Sequence, residues 1–246
     1  MSCAVPRQPA PPGRRRTDGE PSARDRTTAR PRRSGHSARV PESVAEEIEA
    51  GVGRGRAGGL RDRLGSAMRA YERDRYGEAL VELRMLSRLL PGVAAVRELH
   101  GLTLYRLGRW RDAIRELDAF HALTGSFDQY PVVADCERAL GRDRRVLARW
   151  EELRQAGVNR EVLVEGRLVV AGMMADRGDL AGALELLGPS GKALRHPDLS
   201  HLRQWYALAD CYERAGDLPR ARELFARVAL HDEDQLDASI RLAALR

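Results

Sequence analysis

Glycines with a regular spacing form the one segment of this sequence that matches a cofactor motif by letter. Residues 53–58 read Gly-Arg-Gly-Arg-Ala-Gly, which is the spacing G-x-G-x-x-G that lets a backbone approach the phosphates of a dinucleotide. That site needs an apolar strand before the glycines, and Glu46, Glu47 and Glu49 stand there instead. We therefore predict no cofactor and interpret the glycine-rich segment, residues 51–59, as a flexible hinge.

Histidines and cysteines show no spacing that would hold a metal ion. His196 and His201 are five residues apart, but Pro197 lies between them and no cysteine or third histidine joins them. The three cysteines are odd in number and far apart in the sequence, so they indicate neither a disulfide framework nor a zinc site. No Ser/His/Asp or Cys/His set has a spacing typical of nucleophilic catalysis, although a set that meets only in space stays open. We predict no metal and no enzymatic activity.

The positive charge of the chain is concentrated in its first forty residues. The 246 residues carry a net charge of +6, whereas residues 1–40 hold ten arginines against three acids, which leaves −1 for residues 41–246. No Leu, Ile, Phe, Tyr or Trp precedes Ile48, so this segment cannot bury enough apolar surface to offset the chain entropy lost on folding. We predict that residues 1–58 form a disordered basic tail rich in Arg, Pro and Gly, with one short helix over 43–50.

Two arginine clusters in the tail are candidates for contact with nucleic-acid phosphates. They consist of Arg14, Arg15, Arg16, Arg32 and Arg33. Phosphate contacts of this kind release counterions, so the binding would weaken as salt rises. The first forty residues contain no aromatic side chain on which a base could stack, so we expect weak contact without sequence readout. A flexible polycation that only aids solubility is the alternative.

The apolar residues of the chain are distributed as in a water-soluble core. They make up 43% of the sequence, but no run approaches the ~18 residues that a membrane-spanning helix requires. The N-terminus also lacks the apolar stretch of a secretory signal. We therefore expect a soluble, cytoplasmic protein that does not contact a membrane.

A repeated pattern runs from Leu60 towards the end of the chain. Its clearest copy has the order Trp, Leu-Ala, Tyr, Gly, Ala and Phe at positions 205, 208–209, 212, 216, 221 and 225. This copy resembles the tetratricopeptide repeat (TPR), whose pattern is W-x2-L-G-x2-Y followed by A-x3-F. The turn residues of the copies are Asp74, Gly108, Gly141, Gly178 and Gly216, which are 34, 33, 37 and 38 residues apart. The resemblance implies an all-α, right-handed α-solenoid of about five helical hairpins over residues 59–246.

Small residues recur at two positions of each copy, where a TPR brings its two helices into close contact. Those of the first helix are Ala67, Gly101, Ala134, Ala171 and Ala209, and those of the second are Ala79, Ala113, Val146, Ala183 and Ala221. A large residue follows the second set four positions later, at Leu83, Leu117, Trp150, Leu187 and Phe225. We predict that the third copy is helical despite Glu137 and Asp143 at usually apolar positions, and that residues 237–246 form a C-terminal capping helix.

Three segments are also similar to TPR proteins of actinobacteria that have Arg-, Gly- and Pro-rich N-termini. They are residues 95–98 with Gly101, residues 124–126 and residues 131–138. This resemblance implies no catalytic residue.

The resemblance to TPR proteins also indicates which residues face a partner. The first helices of a TPR solenoid line a concave groove, and the residues expected to point into it are Leu102, Tyr105, Asp135, Arg138, Arg203, Tyr206, Asp210 and Glu213. Family members that capture a C-terminal carboxylate use Lys and Asn at these places. Leu102, Asp135 and Asp210 stand there in this chain, so the resemblance argues against that clamp.

We therefore predict a non-enzymatic scaffold or adaptor that holds an extended or helical peptide in the groove of its TPR solenoid. The identity of the partner protein and the oligomeric state do not follow from the sequence. Two alternatives remain open: an inner face that is only solvated, and an RNA- or ribosome-associated factor that binds phosphates through the basic tail.

Overall fold

The computed structural model describes residues 39–189, 194–231 and 237–245, which form twelve α-helices and contain no strand. The helices fall into two units, and the chain passes from one to the other after Gly141. The N-terminal unit holds α1 (Glu42–Val52), α2 (Arg54–Glu72), α3 (Tyr76–Leu89), α4 (Ala94–Arg106), α5 (Trp110–Thr124) and α6 (Tyr130–Ala139). The C-terminal unit holds α7 (Asp143–Gln155), α8 (Arg160–Asp176), α9 (Leu180–Leu187), α10 (Leu199–Arg214), α11 (Leu218–His231) and α12 (Ala238–Ala244). The predicted all-α class is confirmed.

Helices that are consecutive in the chain pack against each other within each unit. In the N-terminal unit, α2 pairs with α3 and α4 with α5, while α1 packs on α2 and α6 on α5. In the C-terminal unit, α8 pairs with α9 and α10 with α11, while α7 packs on α8 and α12 on α11. This is the helical-hairpin arrangement of TPR proteins, and α12 is the predicted capping helix.

The turns of the hairpins lie where the repeat alignment places them. All five predicted turn residues have positive φ, at 60° for Asp74, 70° for Gly108, 69° for Gly141, 86° for Gly178 and 83° for Gly216. After α4, the amide of Gly108 donates to the carbonyl of Tyr105 and the amide of Arg109 to that of Leu104. These two bonds satisfy the last carbonyls of the helix. The left-handed conformation explains why glycine fills four of the five positions.

Small residues permit the close approach of paired helices. Ala79, Ala113, Ala183 and Ala221 are each 0% exposed. Gly101 lies in close contact with α5, since a Cβ atom there would lie 2.5 Å from Cδ2 of Leu117. The aligned small and large residues of the second hairpin therefore meet as predicted.

The glycine-rich segment differs from its prediction. The expected break over residues 51–59 is wrong, because only Gly53, with φ 78°, interrupts the helices and α2 begins at Arg54. Ala57 and Leu64 are buried and give α2 an apolar side that packs into the core of the N-terminal unit. Packing thus offsets the low helix propensity of glycine. Residues 1–38, which make up most of the predicted tail, lie outside the described residues.

The third copy of the repeat is helical in spite of its polar residues. Asp143 begins α7 and accepts hydrogen bonds of 2.8 and 3.0 Å from Arg177 at the end of α8. Glu137 is buried within α6. Hydrogen bonding therefore replaces apolar contact at Asp143, which the repeat pattern alone could not show.

Candidate binding surfaces

Four of the predicted groove residues lie in the N-terminal unit, and three of them form a hydrogen-bonded cluster. Leu102 and Tyr105 of α4 are 2% and 3% exposed. The hydroxyl of Tyr105 donates to Oδ2 of Asp135 on α6 at 2.6 Å, and Nε of Arg138 donates to Oδ1 of Asp135 at 2.8 Å. Burial raises the pKa of Tyr105 well above its usual range, and the charge of Asp135 adds to this, so the phenol stays a donor. The cluster joins α4 to α6, and peptide contact by its members stays a prediction.

The other four predicted residues lie along one face of α10, which we call the α10 face. Arg203, Tyr206, Asp210 and Glu213 are spaced three or four residues apart, so they project on one side of the helix. Asp198 caps the start of this helix by accepting a 3.0 Å bond from the amide of His201. The structure therefore places these four residues on one side of α10 in the C-terminal unit, and peptide contact by them stays a prediction.

An arginine from the capping helix occupies the α10 face. Nη2 of Arg241 lies 3.0 Å from Oδ1 of Asp210, and Nε lies 2.9 Å from Oε2 of Glu213. The guanidinium carbon stands 4.7 Å from the ring centre of Phe225 and 5.9 Å from that of Tyr206. Carboxylates around a cation that lies over aromatic rings are a favourable guanidinium site. This face therefore holds a positively charged side chain.

Arg203 forms a second ion pair on the α10 face. It bonds to Glu165 of α8, and both side chains are almost completely buried. Burial raises the pKa of Glu165, while the charge of Arg203 acts in the opposite direction. Oε2 of Glu165 has no hydrogen-bond partner among the described residues. This pair links α8 to α10 at the start of the face.

Other chemistry considered from the sequence finds no site in the described part of the chain. Cys136 and Cys211 are free and buried, and burial raises the pKa of both thiols, that of Cys211 to about 11. The described ranges contain no cluster of three metal-ligating side chains. They also contain no helix that is long and apolar enough to span a bilayer. Cys3 and the tail arginines from Arg14 to Arg33 lie outside the described residues.

A cationic cleft in the N-terminal unit was not predicted. It has a volume of about 610 Å³ and lies among α3, α4 and α5. We call it the arginine cleft; its ionisable and polar lining residues are Arg84, Ser87, Arg88, Arg97, His100, Arg109, Asp112, Arg115 and Glu116. Five arginines against two acids give it a net charge of +3.

Glu116 is the more deeply buried of the two acids in the arginine cleft. Nη1 of Arg97 donates to its Oε2 at 2.6 Å, and Nδ1 of His100 lies 3.4 Å from the same oxygen. Burial alone would raise the pKa of Glu116, but hydrogen bonds from His100 and Arg97 lower it to about 2. The carboxylate therefore stays ionised and fixes Arg97.

The sequence does carry a signal for this cleft. Arg97 and His100 occupy the positions that hold Trp205 and Leu208 in the clearest copy of the repeat. Two polar residues at places that are apolar in the clearest copy indicate a departure from its simple packing. Arg97 and His100 line a cleft only because residues of α3 lie opposite them. The repeat alignment does not show that α3 is next to these two residues.

Comparison with known proteins supports the fold. No protein-family model matches the sequence, and no curated protein matches it. Among solved structures the chain is similar to TTC0263, a thermophilic TPR protein of Thermus thermophilus, with a TM-score of 0.59 and 18% sequence identity. The match covers 76% of this chain and 98% of that one. At this identity the likeness shows the fold, which is that of TPR proteins.

Proposed function

We propose that this protein is a non-enzymatic cytoplasmic scaffold that binds a protein partner through the first helices of its TPR hairpins. The observation that supports this most directly is the seat of Arg241 on the α10 face, between two carboxylates and over two aromatic rings. A face that holds a guanidinium of its own chain has the chemistry to hold one from a partner. The TPR fold favours peptide binding on this side of the hairpin.

The partner that fits this face presents an arginine or lysine from an extended segment or a helix. Its cation would replace Arg241 between Asp210 and Glu213, because one guanidinium fills the space that these two carboxylates share. Both carboxylates are only 28% exposed, so pairing them stabilises a complex more than a fully solvated pair would. The α12 helix thus competes with the partner for the same face.

Crosslinking mass spectrometry on the full chain in its native cell tests this proposal. The variant Asp210→Ala with Glu213→Ala removes both acids of the α10 face. The matched control is Glu151→Ala with Glu152→Ala, which removes two exposed acids of α7. We expect the wild type and the control to crosslink the same protein and the α10 variant to lose it. Thermal melts of all three exclude unfolding as the cause.

Two results would contradict the proposal. One is a wild-type protein that crosslinks to no specific protein. The other is a partner that both double variants retain equally.

The basic tail supports one alternative function, an RNA- or ribosome-associated factor. Its support is the excess of ten arginines over three acids in residues 1–40. The test changes Arg14, Arg15, Arg16, Arg32 and Arg33 to Ser in the full chain and measures filter binding to single-stranded RNA as salt rises. If the tail binds phosphates, the variant loses a steeply salt-dependent affinity. Unchanged binding would exclude this alternative.

A further inference from the structure

We propose that the arginine cleft of the N-terminal unit is a binding site for the terminal phosphate group of a phosphate monoester. This site is separate from the α10 face and does not depend on the function proposed for it. Its volume of about 610 Å³ lies in the range of small-ligand pockets. The geometry that supports it consists of two exposed arginines that pair with no described acid and a buried polar pair at the floor.

The arginines of the cleft divide into two groups. Arg97, Arg109 and Arg115 are bonded to Glu116 or Asp112, which neutralises part of their charge. Arg84 and Arg88 of α3 form no ion pair with any residue in the described ranges.

Arg84 and Arg88 are therefore the groups left to bind an anion. They are four residues apart, so their exposed side chains lie on the same side of the helix. Two guanidinium groups with free donors suit the several oxygens of one phosphate.

The floor of the cleft holds a buried ring nitrogen that no described residue bonds. Oγ of Ser87 lies 2.7 Å from Nδ1 of His100, and both residues are 5% exposed. Nε2 of His100 is buried and has no hydrogen-bond partner among the described residues. The ring therefore has one nitrogen whose hydrogen-bonding capacity is unmet, whichever tautomer it adopts. A phosphate group near the floor suits either tautomer, because its oxygens accept from an N–H and its monoanion form has a hydroxyl that donates to a bare nitrogen.

The charge and shape of the cleft favour a monoester over other anions. A phosphate monoester is close to a dianion at neutral pH and neutralises more of the +3 charge than a carboxylate does. The phosphate group of a monoester is also terminal, so it can enter a cleft that is closed at its floor. A phosphodiester carries one charge and is substituted on both sides, so the backbone of RNA fits this floor less well.

The test uses the full chain and three probes: inorganic phosphate, a peptide containing phosphoserine, and single-stranded RNA. Chemical-shift titration reports where each probe binds. The site variant is Arg84→Gln with Arg88→Gln, which breaks no ion pair among the described residues. The matched control is Arg144→Gln with Arg145→Gln, two exposed arginines of α7 in the other unit. The unphosphorylated peptide and a peptide with Glu in place of phosphoserine complete the set.

We expect inorganic phosphate and the phosphopeptide to shift the resonances of Ser87 and His100. The site variant should weaken both by about tenfold or more, since two charge-assisted contacts are lost, while the control changes affinity less than about twofold. Binding of phosphate together with much tighter binding of the phosphopeptide would identify a peptide as the source of the group. Equal affinities would show that the flanking peptide adds nothing to the binding of its phosphate group, which excludes a phosphopeptide as the specific source.

Three outcomes would overturn the proposal. The first is that millimolar phosphate and phosphopeptide leave the cleft resonances unshifted. The second is an equal loss of affinity in the site and control variants, which indicates attraction by net charge alone. The third is RNA that binds at the cleft and that phosphoserine peptide does not displace, which indicates a nucleic-acid surface.

Discussion

Ala113 of α5 illustrates at the scale of single residues why paired helices tolerate no larger side chain. It is 0% exposed and packs where α4 and α5 meet. Ala113→Arg places a long charged side chain in that space, so we expect a loss of about 3 kcal/mol or more of unfolding free energy. Urea unfolding measures it.

Ala122→Arg is the control for this substitution, because Ala122 is exposed on the same helix. It should change the free energy of unfolding by less than about 0.5 kcal/mol. Equal effects of the two substitutions would show that the alignment of the repeats is wrong.

Alanine substitutions at two helical glycines, Gly101 and Gly59, should change the stability of the protein in opposite directions. A Cβ atom at position 101 would lie 2.5 Å from Leu117, whereas one at position 59 would meet nothing within 4 Å. We expect Gly101→Ala to destabilise the protein by about 1–3 kcal/mol through overpacking. Gly59→Ala should stabilise it by about 0.5–1 kcal/mol, because alanine has the higher helix propensity. Thermal melts that show the same sign for both would contradict this account.

Glu116 connects the arginine cleft to acid stability. Its pKa falls from an ordinary 4.5 to about 2, so its ionised form is favoured in the folded state. The stability that this contributes is fully present above pH 4.5 and is lost as the pH falls through about 2. We expect Glu116→Gln to be less stable than wild type at neutral pH, with the gap closing in acid.

The control for the acid experiment is Glu47→Gln, an exposed substitution in the same unit. Urea unfolding at several pH values compares the three proteins. A gap between wild type and Glu116→Gln that stays constant with pH would contradict the assignment of the low pKa to this carboxylate.

At the scale of helices, α12 is a short helix whose Arg241 forms ion pairs with α10. It spans only Ala238–Ala244, and Arg241 is the side chain that bonds to Asp210 and Glu213. In Arg241→Ala, the carboxylates of Asp210 and Glu213 lose a largely buried partner. We therefore expect this substitution to lower the free energy of unfolding by about 1–2 kcal/mol. Amide hydrogen exchange in residues 238–244 should become faster.

Arg222→Ala, an exposed substitution on α11, serves as the control for α12. It should leave the exchange of α12 unchanged. If Arg241→Ala also leaves it unchanged, other contacts hold this helix, and Arg241 does not make α12 a competitor of the partner for the α10 face.

The helices also show where a repeat pattern predicts well and where it does not. The turn positions follow from the sequence because a left-handed residue is needed after each first helix, and glycine adopts that conformation without steric cost. The start of α2 was not predicted, because glycines lower helix propensity while burial of Ala57 and Leu64 acts in the opposite direction. Local propensity is visible in a sequence, but burial depends on the neighbouring helices.

At the scale of the whole molecule, the net charge of the chain depends on its first segment. Residues 1–40 supply an excess of seven positive charges over an otherwise nearly neutral chain. Deletion of residues 1–40 should therefore lower the isoelectric point from about 9.7 to below neutrality. The shortened protein should no longer bind a cation exchanger at neutral pH and low salt.

The control for the deletion is the full chain on the same column. Retention of the shortened protein at low salt would mean that a local cationic surface, such as the arginine cleft, dominates the interaction.

The sequence by itself determined the helical class, the register of the hairpins and the position of the α10 face. These depend on local spacing, since small residues and turn residues recur wherever two helices must approach and reverse. Only the tertiary structure decided that Arg241 occupies that face and that Tyr105 and Asp135 are buried. It also assembled the arginine cleft from three helices. Such sites combine residues that are distant in sequence. Side-chain packing brings these residues together, and the spacing of residues along the chain does not predict that packing.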